Sequence, residues 1–67
     1  MRIVLQNYKS LLYLKNSKEW TSHIKDARDF QQVVTAVDHI HGSNLKCMDV
    51  LMHFGDPADD FRLRVTY

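Results

Sequence analysis

His39-x-His41 is the pair of side chains best suited by type to a metal ion, with His23, His53 and the lone Cys47 as further donors elsewhere in the chain. On a helix, residues two apart sit about 200° from one another, so His39 and His41 reach one ion only if the helix unwinds there. No second cysteine and no H-E-x-x-H spacing is present, and no metal site is read. Asp56, Asp59 and Asp60 bring three carboxylates into one segment. They lack the alternating Asp pattern and closing Glu of a calcium loop, and Asp-Pro-Ala-Asp is ordinary turn chemistry.

Nucleophilic catalysis would require an activated Cys47, or Ser10, Ser22 or Ser43 beside His23 or His41. No nucleophile elbow surrounds any of them. Cys47 falls in a strand-like run, where a free cysteine is usually a small packing residue. Gly42 and Gly55 stand too far apart to form a phosphate-cradling loop. The residues therefore offer no catalytic group, no metal ligand set, no cofactor and no evident small-molecule substrate, and the chain reads as non-enzymatic.

Composition sets the frame for any site. The 67 residues are 45% hydrophobic and 25% charged, with nine Lys and Arg against eight Asp and Glu for a net charge of +1. That describes one small α+β domain spanning residues 1–67, too short for a second core. No basic or acidic block marks a dedicated nucleic-acid binder, although a local basic face fits within a neutral total. The lone cysteine forms no internal disulfide, and no stretch approaches 18 apolar residues. No membrane segment is expected, and the cytoplasm is the expected compartment.

The elements that must position these residues follow from periodicity. Ile3, Val4 and Leu5, then the run Leu11-Leu12-Tyr13-Leu14, read as two strands of a hairpin, the second closed by Asn16-Ser17-Lys18. At the far end Phe61, Leu63, Val65 and Tyr67 alternate with Arg62, Arg64 and Thr66, the period of a strand. Met48, Val50, Met52 and Phe54 share one face of the run before it, and the loop Gly55-Asp56-Pro57-Ala58-Asp59-Asp60 makes the two antiparallel neighbours. In the middle, Trp20, Ile24, Ala27, Phe30, Val33, Val34, Val37 and Ile40 recur at helical spacing. One helix of that length would be about 30 Å, longer than the roughly 20 Å of the strands it covers. The pattern is therefore divided at Asp29 into a turn over residues 22–26 and a helix over about residues 30–41, with Asp29 as its cap and Gly42 as its left-handed end. The core expected from these periods is Trp20, Phe30, Val33, Val37, Ile40, Val50, Met52, Phe54, Leu63 and Val65.

The spaced Leu12-Tyr13-Leu14, Trp20-Thr21, Ala27-Arg28-Asp29-Phe30, Ala36, Asp49-Val50-Leu51 and Phe54-x-Asp56-Pro57 resemble a family of short uncharacterised bacterial proteins. Its members share a W-T, an A-x-D-F and a closing F-x-D-P-type hairpin. The resemblance spans nearly the whole chain and implies no activity, cofactor or catalytic residue. Each matched position also has a plain structural reading: aromatic residues for the core, Asp for a cap, Asp-Pro for a turn. Leu11 and Leu12 depart from the pattern where a turn glycine would tighten the first hairpin.

The expected architecture is a four-stranded antiparallel sheet in ββαββ order with one main helix on one face. Its other face would then be open, carrying Arg2, Val4 and Gln6, then Leu11, Tyr13 and Lys15, then Asp49, Leu51 and His53, then Arg62 and Arg64. Val4, Leu11, Tyr13 and Leu51 suit a protein interface, with a homodimer or another protein as partner. The alternative is a weak nucleic-acid platform built on Tyr13, Arg62 and Arg64, with one ring to stack and cations for phosphate.

Overall fold

The computed structural model describes residues 1–16 and 19–65. Its elements are β1 (Arg2–Asn7), β2 (Tyr13–Leu14), β3 (Trp20–Thr21), α1 (Val33–Gly42), β4 (Met48–His53) and β5 (Phe61–Arg64), with 3₁₀ turns at Ile24–Asp26 and Pro57–Asp59. All strand pairs are antiparallel, in the order β3-β2-β1-β4-β5. The fold is α+β with one helix on an antiparallel sheet. The sheet has five strands rather than the expected four, because Trp20 and Thr21 pair with Leu14 and Tyr13 instead of opening a helical turn. Ser17 and Lys18, expected to close the second strand, and Thr66 and Tyr67, expected to end the last one, lie outside the described residues.

Division of the middle segment follows the length argument, but its details differ. The helix begins at Val33, three residues later than the pattern predicts, and its N-cap Gln32 makes no side-chain cap hydrogen bond. Asp29 does not cap it. Its Oδ1 instead accepts the N–H of Ile3 at 3.0 Å and of Gln31 at 2.9 Å. At the other end Gly42 is still helical, and the left-handed residue is Asn44 (φ 53). Leu45 N–H donates to Ile40 O at 3.0 Å and Asn44 N–H to His41 O at 3.3 Å, the paired bonds of a Schellman ending, with Leu45 packed against the core beside Ile40.

On the helix side Ile3, Leu5, Leu14, Phe30, Ala36, Ile40, Met48 and Val50 are buried, and Val33, Val37, Leu45, Met52 and Val65 pack half-buried against them. A helix is about 10 Å across with its side chains and strands lie about 4.8 Å apart, so one helix covers little more than two strands. Here those are β1 and β4. The edge strands are left bare on that side, so Trp20 on β3 and Leu63 on β5 are exposed rather than in the core, and Phe54, which lies past the end of β4, is exposed as well.

The face opposite the helix is not open either. Val4 and Leu51 are 0% and 1% exposed, packed with Ala27 and flanked by Tyr13 and Ile24. The chain between β3 and α1 runs as a strap across this face. Arg2 fastens it, donating from its guanidinium to Ile24 O at 2.6 Å and also to Ala27 O. Three residues on, Phe30 lies in the helix-side core, so the chain crosses the sheet plane beside the lower half of β1. Arg28 N–H to Leu14 O (3.0 Å) and Phe30 N–H to Ile3 O (2.8 Å) satisfy backbone groups along that passage.

Candidate functional site

Strand register arranges the non-helix face as three rows. Arg2 lies opposite His53, Val4 opposite Leu51 and Gln6 opposite Asp49 on β1 and β4, while Leu51 lies opposite Arg62 and Asp49 opposite Arg64 on β4 and β5. Continuing the β4–β5 register past Met52 and Phe61 sets Asp60 opposite His53. This is the face that alternation assigns to Arg2, Val4, Gln6, Asp49, Leu51, His53, Arg62 and Arg64. Its middle row is covered, which removes Val4 and Leu51 as accessible interface residues. Tyr13 is half-buried against them. Leu11 is exposed but sits in the turn before β2 with φ 65, not on a strand.

One end row is a closed polar network. Asp49 is fully buried, and its two carboxylate oxygens accept from Arg62 and from Arg64 at 3.1 Å each. Arg62 also donates to Gln6 Oε1, and Gln6 donates to Leu11 O at 3.1 Å. The Arg64 guanidinium lies 4.1 Å from the centroid of the Tyr8 ring. Its hydrogen bond to Asp49 holds the Arg64 pKa above its ordinary value, and the Tyr8 phenol is pushed up chiefly by its hydrogen bond with Cys47. Cys47 itself precedes β4 with φ 62, rather than lying in a strand, and its phenol neighbour supplies no base to activate it.

The opposite end row contains a pair the sequence reading did not join. His53 Nδ1 and Asp60 Oδ1 are 2.7 Å apart with both side chains mostly buried. Their signal was present: they bracket residues 54–59 between antiparallel strands, where cross-strand partners must fall. Beside them is a hollow of about 360 Å³ lined by Met1, Arg2, Ile24, Lys25, His53, Phe54 and Gly55.

The remaining candidates separate. His39 packs its ring 5.2 Å from that of Phe30, on the core side of the helix. Asp56 makes the turn before β5, with Oδ1 accepting Ala58 N–H at 3.0 Å and its carbonyl accepting Asp59 N–H at 2.9 Å. Among the described residues no group of three or more His, Cys, Asp or Glu is placed to hold a metal ion, and no helix is long and apolar enough to cross a membrane.

β5 is the other exposed feature. Val65 N–H donates to Met48 O at 3.1 Å, so Val65, Leu63 and Phe61 are in hydrogen-bonded pairs with β4, and the N–H and C=O of Arg62 and Arg64 point away from it. On the helix side of this edge Phe61 is 61% and Leu63 44% exposed. No family model, no curated protein and no solved structure matches the chain.

Proposed function

We propose that this chain is a small non-enzymatic assembly module that pairs with a second copy of itself through the outer edge of β5. The observation that carries this reading is the open edge itself: β5 has no outer neighbour strand among the described residues, and the outward backbone groups of Arg62 and Arg64 are flanked by exposed Phe61 and Leu63. Charged side chains normally guard such an edge. Here Arg62 and Arg64 are folded back onto buried Asp49, across the sheet face rather than out over the edge.

Pairing rules narrow the register. Two copies joined edge to edge about a two-fold axis keep both helices on one side, and the outward backbone groups belong to even-numbered residues. Centred on Arg62, the contact sets Phe61 opposite the partner's Leu63 twice, favourable apolar cross-strand pairs, and Asp60 opposite the partner's Arg64 twice, each already paired within its own copy, with His53 and with Asp49. The two Arg62 side chains meet at the axis with their charge already compensated by Asp49 and Gln6. A register centred on Leu63 would set Arg62 against the partner's Arg64 twice. One centred on Phe61 runs into the 3₁₀ turn Pro57–Asp59.

A contact of this length buries little area, so the dimer is weak, populated at about 0.1–1 mM. Sedimentation equilibrium across that range tests it. The chain should show a reversible monomer–dimer equilibrium, and Phe61→Glu should leave the fold intact by circular dichroism while shifting the equilibrium to monomer. A strictly monomeric wild type, or dimers unaffected by Phe61→Glu, would overturn the reading. The nucleic-acid alternative draws less support, because phosphate would have to compete with Asp49 for both arginines.

A further inference from the structure

At the far end of the same face, independently of β5, the hollow beside His53 combines two kinds of lining. Every charged side chain that lines it is cationic or can become so: Arg2, Lys25 and His53. The rest of its side-chain wall is apolar, from Met1, Ile24 and Phe54, and Gly55 turns the chain away at its rim with φ 103, a conformation open to glycine. Two of these side chains, Arg2 and His53, are held in place by other parts of the fold. Arg2 donates to the Ile24 and Ala27 carbonyls, which are neutral and leave its charge uncancelled. The Asp29 carboxylate, whose pKa Arg2 helps to lower, is itself committed to the N–H groups of Ile3 and Gln31. His53 has Nδ1 engaged by Asp60, which fixes the ring and leaves Nε2 as its remaining hydrogen-bonding atom. Asp60 is the carboxylate behind the imidazole and does not line the hollow.

We infer that this hollow is a binding site for a small organic anion with an apolar body, a carboxylate carried on an aromatic or branched aliphatic group. The carboxylate would meet Arg2 and Lys25, joined by the Nε2 of His53 when that nitrogen carries a proton, while the body lies against Ile24 and Phe54. A volume of about 360 Å³ is at the lower end for ligand sites, and the hollow is open on one side, so the affinity is modest, a Kd of about 1 mM. Free phosphate offers charge without the apolar body, and a neutral aromatic amide offers the body without the charge.

The test is an amide chemical-shift titration of the full chain at low salt with phenylacetate, phenylacetamide and inorganic phosphate in parallel. Phenylacetate should produce saturable shifts confined to Ile24, Lys25, His53 and Gly55, and phenylacetamide and phosphate should each bind at least tenfold more weakly. Lys25→Glu, at an exposed position, should weaken phenylacetate at least fivefold, and Phe54→Ala should weaken phenylacetate while leaving any phosphate shifts unchanged. Equal affinity for acid and amide would reduce the site to an apolar dent. Equal affinity for phenylacetate and phosphate would reduce it to a cationic patch. Unsaturated or scattered shifts would remove it altogether.

Discussion

The Asp29 carboxylate accepts the N–H of Ile3, 26 residues away, at 3.0 Å, and the residue after Asp29, Phe30, donates its own N–H back to the Ile3 carbonyl at 2.8 Å. The pair closes the part of the β1 edge that the two-residue β2 is too short to cover. It also fixes where the strap ends and the helix-side core begins. The A-x-D-F string is thereby explained as one device, with Ala27 under the non-helix face, Asp29 as the clasp and Phe30 in the core.

Removing the clasp should be felt in stability. Asp29→Ala loses two charge-assisted hydrogen bonds to backbone N–H groups and should cost about 1–2 kcal/mol by urea denaturation at pH 7. These bonds hold the Asp29 carboxyl below its ordinary pKa. Its contribution is therefore complete above about pH 4, the unfolded value, and is lost as pH falls through the depressed folded value. Asp29→Asn, which keeps an accepting oxygen but cannot titrate, should show a flatter loss of stability below pH 4 than the wild type.

Leu11 occupies a left-handed position in the turn between β1 and β2, with φ 65, and is exposed. Its N–H donates to Asn7 O at 2.8 Å, so the turn conformation is tied down and the steric cost is borne by the side chain. Leu11→Gly should raise stability by roughly 1 kcal/mol, the left-handed cost for an L-residue. Leu11→Ala keeps that strain and should give little or no gain, and matched thermal melts of the two variants separate the explanations.

Core assignments can be checked by contrast. Phe30 is buried among Ile3, Leu5 and Ile40, and Phe30→Ala should cost about 3–5 kcal/mol, enough to unfold a domain of this size. Phe54 is exposed, and Phe54→Ala should stay within about 0.5 kcal/mol of wild type in the same denaturation assay.

What is stranded decides the cost of breaking the Asp49 network. Asp49→Ala leaves two arginines whose side chains are 44% and 55% exposed and can be solvated, so about 1–3 kcal/mol is expected. Replacing both Arg62 and Arg64 by Ala leaves a fully buried carboxylate unpaired and should cost more, about 3–5 kcal/mol. Chemical denaturation of the two variants should rank them in that order.

Face assignment was legible in the residues because a two-residue period leaves no freedom once one strand is oriented: Arg2, Val4, Gln6, Asp49, Leu51, Arg62 and Arg64 all share the non-helix side. Whether that face was open was not legible. Ile24 and Ala27 have helical spacing with Trp20 and Phe30, so periodicity assigned them to the helix's apolar stripe, although they belong to a strap beneath the sheet. Trp20 shows the same ambiguity, since a two-residue strand carries no period of its own. Residue type points to Gly42 as the left-handed helix end, but Asn44 fills that role, and with Leu45 two bonds and an apolar contact outweigh the glycine preference. The His53–Asp60 pair needed the register of the last hairpin, which the loop length and strand alternation together contain.

Amide hydrogen exchange at Arg62 and Arg64, measured at about 0.02 mM and about 1 mM protein, tests the edge-pairing claim most directly. The N–H groups of Leu63 and Val65 pair with β4 in every copy, so their protection should not depend on concentration, whereas those of Arg62 and Arg64 face outward and gain partners only in a dimer. With edge pairing, protection at Arg62 and Arg64 should rise with concentration and disappear in Phe61→Glu. Fast exchange at both residues at the highest concentration, with Leu63 still protected, would contradict it.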